Sequence, residues 1–248
     1  LNAFTGLAVA FAGFVINNQV LIIAGALVGA AGTILTLQMA DAMNRSVANI
    51  LAGGFGTGDS DSGAAAADVP VDVKETSADD IGLQLAYAHS VMIVPGYGLA
   101  AAQAQHEVAE LAKVLTDQGI SVNYAIHPVA GRMPGHMNVL LADVNVPYEQ
   151  MKQLDDANPM FESTDVSLVI GANDVTNPLA RESGNAISGM PILDVDKSKS
   201  VVVIKRSMST GYAGVQNPLF AMDNTQMFFS DAKKGLQEIV AATKQYLE

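Results

Sequence analysis

The sequence predicts a parallel α/β sheet covered by helices on both faces and preceded by two membrane-spanning helices. Two observations carry this prediction. No charged side chain occurs in the first 40 residues, and all 13 Lys and Arg residues lie beyond Asp41. From residue 81 onward, short apolar or β-branched runs alternate with helical patterns, which is typical of parallel strands joined by crossover helices.

The two predicted membrane segments are residues 1–16 and 20–40, separated by a polar turn at residues 17–19. As a helix, residues 20–40 would span about 31 Å, which matches the hydrocarbon core of a bilayer. A signal peptide would need a basic N-terminal region, and none is present. A buried hairpin is the other alternative, but forty uncharged residues favour the membrane. The first residue is Leu, so we expect a fragment or a processed chain.

Three glycines and one Arg indicate how the predicted membrane helices pack and are oriented. Gly25, Gly29 and Gly32 would let helix backbones approach closely inside lipid, so we expect these helices to pack against others. Arg45 follows the second helix, and the positive-inside tendency places the later residues in the cytoplasm.

A segment rich in Gly, Ala, Ser and Asp follows at residues 53–80. This composition predicts a flexible, acidic linker. The expected organisation is therefore transmembrane helices with an exit segment at 1–52, a linker at 53–80 and a sheet domain at 81–248.

The helices and strands of the sheet domain are predicted from hydrophobic periodicity and from the residues that typically begin and end such elements. We expect helices at residues 78–89, 99–118, 147–157 and 231–247, the last one capped by Ser230 or Asp231. We expect strands at residues 91–95, 121–127, 166–171, 192–195, 201–205 and 226–230.

Composition excludes several classes of function. The net charge of −12 argues against nucleic acid as a partner, because phosphate neutralisation needs clustered Lys and Arg. No Cys is present, so thiolate metal sites and disulfides are excluded. The four His residues show no metal-binding spacing, His106 is expected on a helix surface, and no Ser-His-Asp set is visible. We therefore expect no metal site.

The segment Gly96-Tyr97-Gly98 joins a predicted strand to a predicted helix and resembles a dinucleotide fingerprint, with Ala101 in place of the third Gly. Its glycines allow a tight turn, and a helix N-terminus could receive a pyrophosphate. A plain strand-to-helix turn explains the same residues equally well.

Three further loops follow predicted strands, at the edge where open α/β sheets bind ligands. The loop after the second strand has His127 and Arg132 but no acidic residue for a ribose 2′-hydroxyl, which argues weakly against NAD. Asn173-Asp174 follows another strand, although such pairs also form ordinary turns. Lys205-Arg206-Ser207 suits a phosphate monoester, although charged strand ends are common. The long irregular segment that follows Ser207 could cover a ligand as a lid.

The chain resembles the beta subunit of proton-translocating NAD(P) transhydrogenase. The resemblance lies in "PGYGLAAAQAQH", "HPVAGRMPGHMNVLLAD", "VIGANDVTNP", "KRSMSTGYAGVQNPLF" and "ALVGAAGTILT" with "AMNRS", and it extends over essentially the whole chain. It implies the last two transmembrane helices plus the NADP(H)-binding domain III, a Rossmann-like fold in which the dinucleotide lies reversed. The glycine turn then need not hold the pyrophosphate.

The resemblance also implies a reaction and partners. Hydride would pass directly between NAD(H), held by the alpha subunit or NAD(H)-binding domain I, and NADP(H) held by this chain, coupled to proton translocation. The remaining transmembrane helices would be partners, and the whole enzyme would be a dimer. Domain III would be cytoplasmic, on a bacterial inner membrane. An alternative from another class is a membrane-tethered NADP(H) sensor that binds the nucleotide without hydride transfer.

Site residues carry over from the resemblance by motif. Asp174 is implied in conformational or protonic coupling, and Asn2 in the proton path, where a simple interhelical hydrogen bond is the alternative. Lys205 to Tyr212 would bind the 2′-phosphate and supply the lid. The implied cofactor-binding residues are Tyr97, Val129, Ala130, Gly131, Arg132, Met133, Pro134, Gly171, Ala172, Asn173, Asp174, Val175, Gly189, Met190, Lys205, Arg206, Ser207, Met208, Ser209, Thr210, Gly211, Tyr212, Asp231 and Ala232.

Overall fold

The computed structural model describes residues 1–53 and 73–247, in two compact units whose boundary lies between residues 53 and 73. Most of the predicted linker at 53–80 therefore lies outside the described residues. Its last part has a defined position, because Thr76 N donates to Met227 O (3.0 Å) and Glu75 bridges to Met227. The prediction of a flexible linker is wrong for residues 73–80, which join the edge of the sheet domain and begin its first helix.

The first unit is a pair of apolar helices followed by a short third one. Helix α1 spans Asn2–Val15, α2 spans Gln19–Ala42 and α3 spans Val47–Gly53. Asn18 caps α2, because its Oδ1 accepts from the N–H groups of Val20 (3.0 Å) and Leu21 (3.2 Å). The predicted polar turn between the helices is confirmed.

Helix α2 is long and apolar enough to cross a membrane, with 24 residues and a mean hydropathy of 2.3. Helix α1 is apolar but has only 14 residues, which is short for a bilayer. The two helices pack on each other through small residues. A Cβ atom at Gly6 would lie 2.7 Å from Gly29 Cα, so the backbones are in direct contact there.

The second unit is a six-stranded sheet in which every pairing is parallel, with strand order β3-β2-β1-β4-β5-β6. The chain starts at the centre, runs outward to one edge, returns to the centre and runs to the other edge. This order defines a switch point between β1 and β4. The strands are Ser90–Pro95 (β1), Ser121–Ile126 (β2), Met151–Gln153 (β3), Val166–Ile170 (β4), Ser200–Lys205 (β5) and Thr225–Phe229 (β6).

Both faces of the sheet are covered, as predicted. The helices of this unit are Ala78–Ala86 (α4), Tyr97–Ala101 (α5), Gln105–Asp117 (α6), His136–Asp143 (α7), Leu154–Ala157 (α8) and Ala232–Leu247 (α9). Val91 and Ile93 pack on α4, α6 and α9, whereas Met92 and Val94 face α8 and several 3₁₀ turns. This alternation of neighbouring side chains places an apolar layer on each face.

The predicted helix at 99–118 is two helices. Gln103 has a φ of 52°, which ends α5, and α6 begins at Gln105. Gln103 N and Ala104 N close the end of α5 by donating to Ala100 O (3.2 Å) and Leu99 O (3.1 Å). A non-glycine residue in the left-handed region is a break that the Ala-rich pattern does not reveal.

Two further predictions, for residues 147–157 and for residues 192–195, are wrong. Residues 147–157 are not one helix but a 3₁₀ turn, the edge strand β3 and the four-residue α8. Residues 192–195 are not a strand, because the backbone there bonds to a side chain. Asn158 Nδ2 donates to Ile192 O (3.0 Å), and Asp194 N donates to Asn158 Oδ1 (3.0 Å). Helix α7 was not predicted.

Asp165 fastens the amino ends of three central strands. Its carboxylate accepts from the N–H groups of His89 (2.8 Å) and Ser90 (3.1 Å) and from Lys199 Nζ (2.7 Å). The bond from Lys199, followed by those from the backbone, lowers the pKa of Asp165 to about 2.

Asp165→Asn should lower the free energy of unfolding at pH 7 by about 1 kcal/mol, because a lowered pKa represents stabilisation of the ionised form and solvent screens the largely exposed Lys199 partner. The folded pKa is below the ordinary value of 3.8, so this stabilisation is complete above pH ~4 and is lost as pH falls toward about 2. Urea unfolding followed by tyrosine fluorescence measures it, since all six Tyr residues lie in the sheet unit.

Asp117→Asn is the matched control, because Asp117 is an exposed residue at the end of α6. Its unfolding free energy should stay within about 0.5 kcal/mol of the wild type. Equal stability of Asp165→Asn and wild type at pH 7 would contradict the assignment.

Candidate functional site

A cleft of about 460 Å³ opens at the carboxyl ends of β1, β4, β5 and β6. It lies at the switch point of the sheet, where open α/β folds bind ligands. Four segments that follow different strands meet there. The lining residues are Tyr97, Gly98, Ala101, Ala102, Gly171, Ala172, Asn173, Ile204, Lys205, Arg206, Ser207, Ser209, Thr210, Gly211, Ser230, Asp231 and Ala232.

The floor of the cleft is a contact between two backbones. Gly96 N donates to Ile170 O (2.9 Å), and Gly98 N donates to Gly171 O (2.9 Å). A Cβ atom at Gly98 would lie 2.6 Å from Gly171 Cα, so no side chain fits between the two segments. Gly171 itself has a φ of 62°, in the region that favours glycine.

This contact decides between the two interpretations of the glycine turn. The N–H groups of Gly96 and Gly98 are bonded inside the protein, and Leu99 N donates to Gly96 O (3.2 Å). Helix α5 has only five residues. The turn therefore serves to join the ends of β1 and β4 closely, and those N–H groups are not free to bind a pyrophosphate.

Lys205 and Arg206 end β5 at the cleft but lie in different environments. Lys205 Nζ donates to Ser209 O and lies 4.8 Å from the ring centroid of Phe220. Burial lowers the pKa of Lys205, and the negative charge of Asp174 opposes that effect. Arg206 is exposed, and its guanidinium makes no hydrogen bond or ion pair with residues 1–53 or 73–247.

The segment of residues 206–217, here called the lid, folds back on the loop that follows β4. Ala213 N donates to Asp174 Oδ2 (3.0 Å). Oriented as its neighbours require, the Asn173 amide oxygen accepts from Gly211 N (2.7 Å) and Lys205 Nζ (3.1 Å). The lid thus lies against Asn173 and Asp174 through its own backbone.

Asp174 lies against the lid but is not itself among the residues that line the cleft. Its Oδ1 is buried and has no hydrogen-bond partner within the described part of the chain. Gly211 packs directly on the carboxylate, and an added Cβ would overlap it. A buried carboxylate oxygen without a donor is costly unless it meets a donor that the described residues do not supply.

Helix α9 starts at the rim of the cleft. Lys233 N donates to Asp231 Oδ1 (3.0 Å), so Asp231 caps the helix, which confirms one of the two predicted caps. Ser230, Asp231 and Ala232 all line the cleft.

The predicted segment at 129–134 reaches the site only through one side chain. Arg132 lies over the ring of Tyr97, 5.7 Å from its centroid, and its Nη2 lies 3.4 Å from Tyr97 Oη. No residue of the segment lines the cleft, and Arg132 reaches it only by contacting Tyr97. It is fastened next to it by His127, which is buried.

The hydrogen bonds of His127 fix its tautomer. Nδ1 accepts from Val129 N (3.2 Å), so Nε2 carries the proton and donates to Pro191 O (2.7 Å). Burial lowers the pKa of His127, which keeps the ring neutral. This bond ties the loop after β2 to the irregular segment around Pro191.

Several predicted site residues do not line the cleft. Met190 belongs to a small apolar cluster with Ala180, Ile187 and Ile192, and the preceding Gly189 has a φ of 76°. Val175 packs in the core below the site. Met208 and Tyr212 are exposed on the lid, and Asn2 is in the helical unit.

The cleft lining also includes Gly98, Ala101, Ala102, Ile204 and Ser230, which were not among the implied cofactor-binding residues, although Gly98 and Ala101 belong to the fingerprint segment and Ser230 was a candidate cap. Ile204 and Ser230 could have been found, because both stand at the ends of predicted strands. Ala101 and Ala102 line the cleft because α5 ends there, and the predicted continuous helix hid that end.

These features define a doubly wound α/β domain of the Rossmann type, with a ligand cleft at its switch point, joined to a pair of apolar helices. The family model of the NAD(P) transhydrogenase beta subunit matches residues 1–242. The chain belongs to this family.

A relative in Rhodospirillum rubrum, NAD(P) transhydrogenase subunit beta, is 54% identical over 245 residues. The match covers 98% of this chain but 52% of that protein, so the chain spans about half the length of this relative. Among solved structures, a Sir2 homolog–NAD complex has a TM-score of 0.49 at 9% identity, covering 71% of this chain and 97% of that one. That likeness is too low to carry an argument.

Proposed function

We propose that this chain is the NADP(H)-binding part of a proton-translocating transhydrogenase. Hydride passes directly between C4 of NAD(H), held by the alpha subunit or its NAD(H)-binding domain, and C4 of NADP(H), held in the cleft. The transfer is coupled to proton translocation across the membrane. Family membership and the position of the cleft support the proposal. The observation that carries it is the exposed Arg206 beside Ser207 at the carboxyl end of β5.

The residues of the cleft fit this nucleotide. Its volume of about 460 Å³ lies within the usual range for ligand pockets, roughly 300–1,000 Å³. Arg206, Ser207 and Thr210 offer a guanidinium and hydroxyl groups to a 2′-phosphate. The position after β2 that holds an acidic residue in NAD-binding folds is His127, whose ring is engaged by Pro191.

The membrane part completes the proposal. Helix α2 lies in the inner membrane together with the remaining transmembrane helices of the enzyme, and the sheet unit is cytoplasmic. The whole enzyme is proposed to be a dimer. The partner that supplies NAD(H) docks at the open side of the cleft, because hydride transfer requires the two nicotinamide rings to be in contact.

The reaction is tested by mixing this chain, in detergent, with the family's NAD(H)-binding domain. With NAD⁺ as the acceptor and NADPH that carries deuterium at the transferred position of C4, the label should appear in NADH at full content even in ordinary water, because direct transfer avoids solvent. Mass spectrometry measures it. Bound NADPH without label transfer would favour the sensor alternative, and absence of NADPH binding would contradict both functions.

Arg206→Ala should weaken NADP(H) binding about tenfold to a hundredfold, since a charge-assisted hydrogen bond contributes roughly 1.5–3 kcal/mol. NAD(H) lacks the 2′-phosphate and should be nearly unaffected. Lys205→Ala should weaken both nucleotides, because Lys205 Nζ holds the lid at Ser209 O. Calorimetric titration after removal of retained ligand gives the four affinities.

Lys234→Ala is the control for the long-range electrostatic effect of removing one surface cation. Lys234 is a largely exposed cation in the first turn of α9 and does not line the cleft. It should change neither affinity by more than about twofold, as expected for screened surface charges. Equal losses of NADP(H) and NAD(H) in Arg206→Ala would show that Arg206 does not bind the 2′-phosphate.

Asp174 is proposed to couple nucleotide binding to a proton. Its Oδ1 is buried and has no donor among the described residues, and the lid residue Gly211 packs directly on its carboxylate. Asp174→Asn should therefore flatten the pH dependence of NADP(H) affinity. Superimposable curves of affinity against pH for the two proteins would contradict this coupling role and leave Asp174 with only a structural role in its turn.

A further inference from the structure

The sequence Asn-Pro-Leu occurs twice, at 177–179 and at 217–219, and both copies make the same local structure. Each Asn is buried, with Asn177 at 0% and Asn217 at 5% exposure. Each Oδ1 accepts from the N–H of its own Leu, at 3.1 Å in the first copy and 3.0 Å in the second. Each copy thereby begins a 3₁₀ turn.

The other end of each amide crosses to the opposite loop. Asn177 Nδ2 donates to Gln216 O in the lid (3.0 Å), and Asn217 Nδ2 donates to Asn173 O in the loop after β4 (3.1 Å). The two bonds are reciprocal, because each loop supplies one Asn and one carbonyl. We call this pair the asparagine clamp.

The clamp is distinct from the contacts at the mouth of the cleft. Neither Asn lines the cleft, whereas the residues they fasten, Asn173 and the lid, do so or lead into it. Lys205 and Asp174 also hold the lid, but both are ionisable groups, so the charge of a ligand in the cleft acts on them. The two Asn side chains of the clamp are buried and neutral, so a ligand charge in the cleft does not compete directly for their hydrogen bonds.

We propose that Asn177 and Asn217 are positioning residues that fix the base of the lid and thereby set the rate at which NADP(H) leaves. This inference rests on the proposed function of the cleft. The partly buried carbonyls of Gln216 and Asn173 lose a donor when the clamp is cut, and the closed position of the lid loses the corresponding stability. Closing still occurs, so association is little affected and release is faster.

The test is the dissociation rate of NADPH from this chain, followed by its fluorescence after an excess of NADP⁺ is added. Asn177→Ser and Asn217→Ser keep a hydroxyl that can cap the turn but is too short to cross to the other loop. Each should speed release about fivefold, the effect of one ordinary hydrogen bond, with the association rate within about twofold. In the double variant the effects should not add, because the first cut already frees the lid.

Asn185→Ser is the matched control. Asn185 makes the same kind of turn, with Oδ1 accepting from Ile187 N (3.0 Å) and Nδ2 donating to Leu179 O (2.8 Å), but it makes no hydrogen bond to residues 206–217. Its release rate should equal that of wild type. Faster release in the control as well, or unchanged release in both clamp variants, overturns the proposal. If wild type binds no NADPH, the proposed function fails instead.

Hydrogen exchange on the unmodified chain tests the clamp without any variant. The amides of Leu179 and Leu219 are bonded to the two clamp residues, and the amide of Ile187 is bonded to Asn185. NADPH should slow exchange at Leu179 and Leu219 together and leave Ile187 unchanged. Slowing at only one of the two Leu amides, or equal slowing at Ile187, contradicts a shared clamp.

Discussion

The contact between the backbone of Gly98 and that of Gly171 is the constraint on which the rest of the site depends. It joins the ends of β1 and β4 at the switch point, and no side chain fits between them. Because the two central strands end in contact, the ligand space is displaced toward β5 and β6. That shift places Arg206, the lid and the start of α9 around the cleft, and it removes the glycine turn from phosphate binding.

The electrostatic attraction between the cleft and a phosphorylated nucleotide depends on nearby side chains and not on the net charge of the protein. The chain carries a net charge of −12, so its overall field repels a phosphorylated nucleotide. The attraction has to come from a few cations at short range. Lys205 is partly engaged by the lid, by Asn173 and by the ring of Phe220, which leaves Arg206 as the exposed cation of the lining. The structure therefore shows that Lys205 and Arg206, which look equivalent in the sequence, lie in different environments.

The sequence predicted the fold class and most of the cleft, because both depend on strong local patterns. Apolar runs marked β1, β4 and β5, and polar residues directly after them lie at the cleft. Strand β3 was missed because Met-Lys-Gln has neither β-branched residues nor alternation. The break at Gln103 and the bonds from Asn158 to Ile192 and Asp194 depend on a positive φ and on a distant side chain, which periodicity cannot report.

The central claim is that the cleft recognises a 2′-phosphate through Arg206. Titration of the wild-type chain with adenosine 2′-monophosphate and adenosine 5′-monophosphate, followed by ³¹P NMR, tests it most directly. The account predicts that the 2′-isomer binds, shifts its phosphorus resonance and is displaced by NADP⁺, while the 5′-isomer remains free. Equal binding of both isomers, or a 2′-isomer that NADP⁺ does not displace, would contradict the claim.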